Sequence, residues 1–434
     1  MKNNKIENSK LKFFSIINKL KNKDYDEALK ELNQLNENEN DKEEIIKLKS
    51  FIHLQLKDWN KVIHYNEKLI EINENNFETY SAIGVANFNL GNLKKSIKFF
   101  EKSINNNINF IQGYENLGIV LKRLGDFKKS TEYFSKALKI NSNNLRIKQN
   151  LIDNFNYFDS KNIIDSELCK INSKILELGK LPININDNNE LFRLFNKTEE
   201  YLSATDPIIY TETQIFRKNE KNLNCSRHLK IFNDFSVIPR YCFGCFKVQI
   251  QMKNVAELIK LYFLFNTLDL PNIRKCVVEL RKNVNGNYKG YIFTSSISEA
   301  KKILKNLKFN CDEKKLNYKK IEIKHGCTEY YEKFPEFKLI KKDECLNIYK
   351  ENWSSIENKF DKENLILEQD KERRFSNTIN AFNLSDYLVI KNWLSYAKII
   401  GDKSYKYIFD KNLNNIFFKN ILDQQINLRN KELL

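Results

Sequence analysis

Tyr80-Ser81-Ala82-Ile83-Gly84, followed by Gly91-Asn92-Leu93, Ser96, Phe100 and Ser103, returns 34 residues later as Tyr114-Glu115-Asn116-Leu117-Gly118, Gly125-Asp126-Phe127, Ser130, Phe134 and Ala137. The pairs Asp24-Tyr25, Asp58-Trp59, Asn92-Leu93 and Asp126-Phe127 keep the same interval. A fixed period of this size marks stacked helix pairs, because one pair cannot bury its apolar face alone. Gly84 and Gly118 remove side chains where paired helices approach. Phe100 and Phe134 fill the space beneath the next repeat. Ser or Ala at 96, 103, 130 and 137 keeps the interhelix contacts narrow.

These copies resemble the tetratricopeptide repeat over about residues 9–143. The resemblance implies an array of antiparallel helix pairs whose concave groove binds protein segments. Its groove positions fall on Phe51 and Gln55 in the second copy, Val85, Phe88 and Asn89 in the third, and Ile119, Lys122 and Arg123 in the fourth. Lys122 and Arg123 together would take a carboxylate of a bound peptide. For any one of these residues, a solvated helix face is the plainer reading. The first copy (Leu11–Lys21, then Tyr25–Leu35) is degenerate. The family's Pro near the end of its second helix is replaced by Ile108 and Ser142, so Asn105–Asn107 and Asn141–Asn144 end those helices instead. Leu145–Phe158 and Ile163–Leu178 read as a worn fifth copy with a cap.

The expected fold is mainly α with an α+β domain. Residues 1–180 form the array, 181–205 a linker, 206–335 the α+β domain and 336–434 a helical region. Fitting this, 434 residues hold two or three domains. The net charge of +17 would suit a polyanion, yet Lys is spread from end to end, as an AT-rich coding sequence would also produce. Met1–Lys10 is polar and no apolar run approaches the roughly 20 residues of a bilayer span, so neither a secretory signal nor a membrane span is expected. In the cytoplasmic setting this implies, the eight cysteines are thiols, ligands or catalytic groups before they are disulfides.

From Phe246 the period changes. Phe246–Met252 alternates as a strand, Val255–Leu268 is helical, Lys275–Lys282 and Tyr288–Ser295 flank a turn at Asn285-Gly286, Ser296–Phe309 is helical and Leu316–Lys324 is a strand. This β-α-β-β-α-β order is the split pattern of ferredoxin-like domains, with two helices on one sheet face and the other face open. Lys247, Gln249, Gln251, Lys289, Tyr291 and Phe293 would lie on the open face. Lys289-Gly290-Tyr291-Ile292-Phe293 is similar to one motif of the RNA-recognition domain, which implies base stacking on the two aromatics. The first strand offers Lys247 and Gln249 where that family has an aromatic. An ordinary hairpin strand is the alternative.

Cys225-x-x-His228 and Cys242-x-x-Cys245 have the ligand spacing of one structural zinc; buried core thiols are the alternative. His325-Gly326-Cys327 places an imidazole near a thiol, the raw material of a nucleophile and its base, with no third group to orient the ring. Phosphate-binding Gly-rich loops, His-Glu-x-x-His and Gly-x-Ser-x-Gly are all missing. The leading reading is an interaction scaffold with a second binding module. RNA binding on the open sheet face, or an enzyme in 206–434 whose substrate protein is recruited by the array, are the alternatives.

Overall fold

A computed structural model describes residues 13–35, 42–162, 166–180, 183–203, 205–217, 223–281, 284–340, 349–364, 377–411, 413, 419 and 421–427. The chain forms two compact units, Met1–Ile147 and Lys148–Leu434.

The first unit is helical: α1 (13–21), α2 (Tyr25–Asn33), α3 (Lys42–Gln55), α4 (Trp59–Ile72), α5 (Phe77–Asn89), α6 (Leu93–Asn106), α7 (Ile111–Leu124) and α8 (Phe127–Ile140), followed by the start of α9 (Leu145–Asn154). The turn inside each pair is the same four times over. Lys23, Lys57, Gly91 and Gly125 all have positive φ. Just after them, the N–H groups of Asp24, Asp58, Asn92 and Asp126 donate to the carbonyls of Lys19, His53, Asn87 and Leu121 at 2.8–2.9 Å. A left-handed residue closing such a six-residue loop satisfies carbonyls that the helix end leaves orphaned. Asp58 and Asp126 then cap the following helix, accepting from the Lys61 and Lys129 N–H groups.

Gly118→Ala and Gly125→Ala differ in mechanism, and the left-handed site gives the cleaner test. At φ +80° a Cβ is strained, so Gly125→Ala should cost about 1–2 kcal/mol. Lys57→Gly should stay within about 0.5 kcal/mol of neutral, since the strain relieved is offset by a freer unfolded chain. Urea melts of the two variants check this contrast.

The glycines inside the helices answer to packing. A Cβ on Gly84 would stand 2.6 Å from the Phe100 ring, and one on Gly118 would stand 2.6 Å from the Phe134 ring. The Ser96 hydroxyl donates to the Gly84 carbonyl at 2.8 Å, and the Ser130 hydroxyl to the Gly118 carbonyl at 2.7 Å. Phe100 also joins Leu93, Ile104, Leu117, Val120 and Leu121 in one buried cluster, so its ring ties its own pair to the next.

The second unit begins within α9 and continues through α10 (Glu167–Gly179) and α11 (Asn188–Leu202). The helices expected to cap the array beyond residue 147, and most of the 181–205 stretch, therefore lie in this unit. Its sheet has β1 (Gln214–Arg217), β2 (Phe246–Met252), β3 (Arg274–Val278), β4 (Tyr288–Thr294) and β5 (Tyr318–His325). The order is β1-β3-β4-β2-β5, and every pairing is antiparallel. Short helices α12 (Cys225–Phe235) and α13 (Arg240–Phe243) precede β2. Helix α14 (Val255–Thr267) joins β2 to β3, and α15 (Ile297–Glu313) joins β4 to β5. Asn254 and Ser296 cap them by accepting from the Glu257 and Glu299 N–H groups. Val248, Ile250 and Ile292 turn to the helices and are wholly buried.

Strand β1 was not expected. It adds to the edge at β3, and its Arg217 is buried against Asp386 of α17 (Leu384–Ile399). Asn383 and Asp386 make a capping box at the start of α17, and Trp393 donates from Nε1 to the Thr213 carbonyl at 2.8 Å. In the C-terminal region α16 spans Glu351–Glu363, and residues 421–427 are helical. A charged helix is also expected from the sequence over Glu363–Arg374, which falls mostly outside the described residues. No described helix is long and apolar enough to cross a membrane.

Candidate functional site

In the first unit the groove positions lie on the first helices of successive pairs. Phe51 and Gln55 on α3 are exposed. Val85, Phe88 and Asn89 on α5 are half-buried, as are Ile119, Lys122 and Arg123 on α7. The Arg123 guanidinium sits 5.1 Å from the centre of the Phe88 ring. Asn89 donates from Nδ2 to the Val85 carbonyl at 2.9 Å. A cation held on an aromatic face, flanked by aliphatic side chains and an amide, can take an extended peptide carrying a carboxylate.

In the second unit the sheet face opposite α14 and α15 is not open, which corrects the expectation. Lys247 is 8%, Lys289 2% and Tyr291 8% exposed, while Phe293 is half-buried. The Lys247 and Lys275 ammonium groups lie 5.3 and 5.4 Å from the Tyr291 ring centre. Lys289 stands 3.7 Å from buried Glu279, and burial pulls its pKa down to about 8. The physical reason is that long amphipathic side chains pack on one another across the strands. Base stacking needs an aromatic face that such neighbours leave clear.

The cysteines meet at the end of this face. The β2–β5 register pairs Phe246 with His325, so Cys245 falls opposite Gly326. The Gly326 N–H donates to the Cys245 carbonyl at 2.8 Å, and a Cβ on Gly326 would stand 2.5 Å from Cys245 Sγ. Cys242 Sγ lies 3.4 Å from the Tyr330 hydroxyl. Cys327 is hydrogen-bonded to both Cys242 and Tyr330; the Cys242 contact holds Cys327 below the usual thiol range and pushes Cys242 above it. Burial first, and then the Cys327 charge, raises Cys225 to about 11 and Cys245 to about 12. Cys242 thus touches Cys327, and Cys245 packs against the residue before it. The Lys247 ammonium donates to the Gly326 carbonyl at 2.9 Å, and burial lowers its pKa.

The two histidines stand apart from this chemistry. His228 is buried and stacked on Tyr241 at 5.2 Å, and burial lowers its pKa to about 4. His325 lies between Phe246 (4.7 Å) and Phe337 (4.1 Å), with a pKa also lowered by burial to about 4. Among the described residues no three His, Cys, Asp or Glu side chains stand as a ready-made metal-binding group. A separate cavity of about 630 Å³, lined by Gly179, Ile183, Phe263, Lys314 and Phe382 among others, holds neither cysteine nor carboxylate.

Family models described as tetratricopeptide repeat match residues 77–107 and 111–144. Residues 77–144 are tetratricopeptide repeats. Among solved structures the chain is similar to MamA, at 22% identity over 32% of this chain and 81% of that one, with a TM-score of 0.30. It is similar to MamA from Desulfovibrio magneticus, at 16% over 46% and 97%, with a TM-score of 0.32. It is also similar to the TPR2B domain of yeast Sti1 in its pHsp70 complex, at 17% over 26% and 94%, with a TM-score of 0.25. The chain has no match among curated proteins. The tetratricopeptide segment contains six of the eight groove positions, namely Val85, Phe88, Asn89, Ile119, Lys122 and Arg123. Phe51 and Gln55 lie outside it.

Proposed function

We propose that the chain is a protein-interaction scaffold whose tetratricopeptide array docks an extended, acidic segment of a partner protein. The carrying observation is the Phe88–Arg123 stack at 5.1 Å, which joins two successive repeats along the groove. Lys122 sits beside it, and Val85 and Ile119 flank it with half-buried aliphatic surface. A peptide laid across α5 and α7 would bury apolar side chains there and pair its carboxylate with the cations.

A panel of peptides ending in acidic residues, read by fluorescence polarisation against the full chain, tests this. Arg123→Glu with Lys122→Glu should weaken the best peptide by about tenfold or more, or about 1.4 kcal/mol. Equal binding by this double variant, with an unchanged circular dichroism spectrum, would sink the reading.

The second unit is proposed as a ferredoxin-like domain with an added edge strand. The antiparallel order of β3, β4, β2 and β5, with α14 and α15 as crossovers, supports this. A reducing, cytoplasmic setting is supported by the seven described cysteines, all free thiols.

A further inference from the structure

We propose that Cys327 and Cys242 form a dithiol site for peroxide, in which Cys327 is oxidised first and Cys242 closes a disulfide with it.

Two segments far apart in sequence bring these sulfurs together, and backbone hydrogen bonds fix their approach. The Cys245 N–H donates to the Cys242 carbonyl at 3.2 Å, closing the turn that follows α13. The Cys245 carbonyl accepts from the Gly326 N–H at 2.8 Å, so this turn is held against the residue before Cys327. Cys242 belongs to the buried cluster around Tyr330, Phe337 and Trp353, and Cys327 packs against that same cluster. Tyr330 follows Cys327 by three residues and reaches back, its hydroxyl 3.4 Å from the Cys242 sulfur. A disulfide asks for two thiols that face each other and can close to about 2.05 Å. Here the two already touch.

The neighbouring groups are placed differently. Cys242 is 2% exposed and Cys327 is half-buried, so a small oxidant meets Cys327 first. The contact with Cys242 also holds the Cys327 thiol below its usual range, which favours the reactive thiolate. Cys245 turns its sulfur to Gly326, where it fills the space a Cβ would need. His325 is stacked between Phe246 and Phe337. Cys225 is exposed at the start of α12 and serves as the internal comparison.

The chemistry balances with hydrogen peroxide as the oxidant. The Cys327 thiolate attacks one peroxide oxygen, the O–O bond breaks, and hydroxide leaves and takes a proton to become water. Cys327 is then a sulfenic acid. The Cys242 sulfur attacks it, an S–S bond replaces the S–O bond, and a second water departs with the Cys242 proton. The two thiols lose two electrons, and one peroxide becomes two waters. The product ties the end of α13 to the segment after β5.

The test exposes the full reduced chain to one equivalent of hydrogen peroxide and maps its peptides by mass spectrometry without reduction. The expected result is a Cys242–Cys327 linked pair, two fewer titratable thiols, and recovery of both on adding a dithiol. This readout needs no variant. Cys327 should be consumed about tenfold or more faster than Cys225, as a thiolate outpaces a thiol. In Cys242→Ser a 1,3-dione should capture the sulfenic acid on Cys327, and Cys327→Ser should form no link to Cys242. Peroxide that modifies Cys225 while leaving Cys242 and Cys327 as free thiols would overturn the proposal. So would a Cys245–Cys327 link in place of the expected one, or links formed only between two chains.

Discussion

Asp386→Asn should destabilise the second unit by about 3–5 kcal/mol. Arg217 and Asp386 are 3% and 1% exposed, and the guanidinium meets the carboxylate twice, at 2.7 and 3.2 Å. Tyr262 donates to the same carboxylate at 2.7 Å, and the carboxylate also accepts from the Asn383 N–H at 3.3 Å. Neutralising Asp386 leaves the Arg217 charge buried with uncharged partners alone, the Asn266 amide, the Tyr262 hydroxyl and the Phe216 and Ala381 carbonyls. Replacing both by apolar residues, Arg217→Met with Asp386→Leu, should cost markedly less, because the desolvation of two ions is then avoided. Chemical denaturation of Arg217→Met, of Asp386→Leu and of the double variant gives the coupling directly. A double variant as unstable as the worse single one would show that the pair's geometry, and not its charge, holds β1 to α17.

The second large effect belongs to the array. Phe134→Ala should cost about 3–5 kcal/mol, from lost burial and the cavity left over Gly118. The ring lies so close to Gly118 that Gly118→Ala, with its Cβ 2.6 Å from the ring, should itself cost about 1–3 kcal/mol. Combined, the two should be far from additive. With the ring gone, the new methyl has room and the helix gains the roughly 1 kcal/mol by which Ala exceeds Gly. The Gly118→Ala step should therefore turn neutral or stabilising in the Phe134→Ala background. Additive losses in urea melts would mean that the ring does not set the helix spacing.

Much of this architecture was legible from residues alone, for reasons that differ by region. The array declares itself because a repeated contact demands a repeated residue: Gly84 and Phe100 recur as Gly118 and Phe134. Strand β2 was legible because its alternation is strict, and β4 because it follows the turn signal Asn285-Gly286. Strand β1 was not, since Gln214–Arg217 is short and owes its place to the edge of β3 and to Asp386, far along the chain. The closed sheet face escaped for a related cause. Period-two polarity shows which residues share a face, but not that Lys247, Lys275 and Tyr291 will pack on one another there. In the cysteine cluster, local spacing favoured His228. The β2–β5 register, which sets Cys245 opposite Gly326, is what brings in Cys327. Reading those two strands as antiparallel neighbours would have found it.

The four equivalent turns have an effect on how the array comes apart. Left-handed backbone is nearly free for Gly91 and Gly125 but strained for Lys23 and Lys57. In a solenoid, stability is a sum of per-repeat and nearest-neighbour contributions. Because the strain at Lys23 and Lys57 is offset by the freer unfolded chain that a glycine brings, the four turns weigh alike, and repeats differ through their contacts, such as the Phe100 ring that the third copy shares with the fourth. Because the Phe88–Arg123 contact joins two repeats tied by that shared core, a partner bound there would meet a preformed surface.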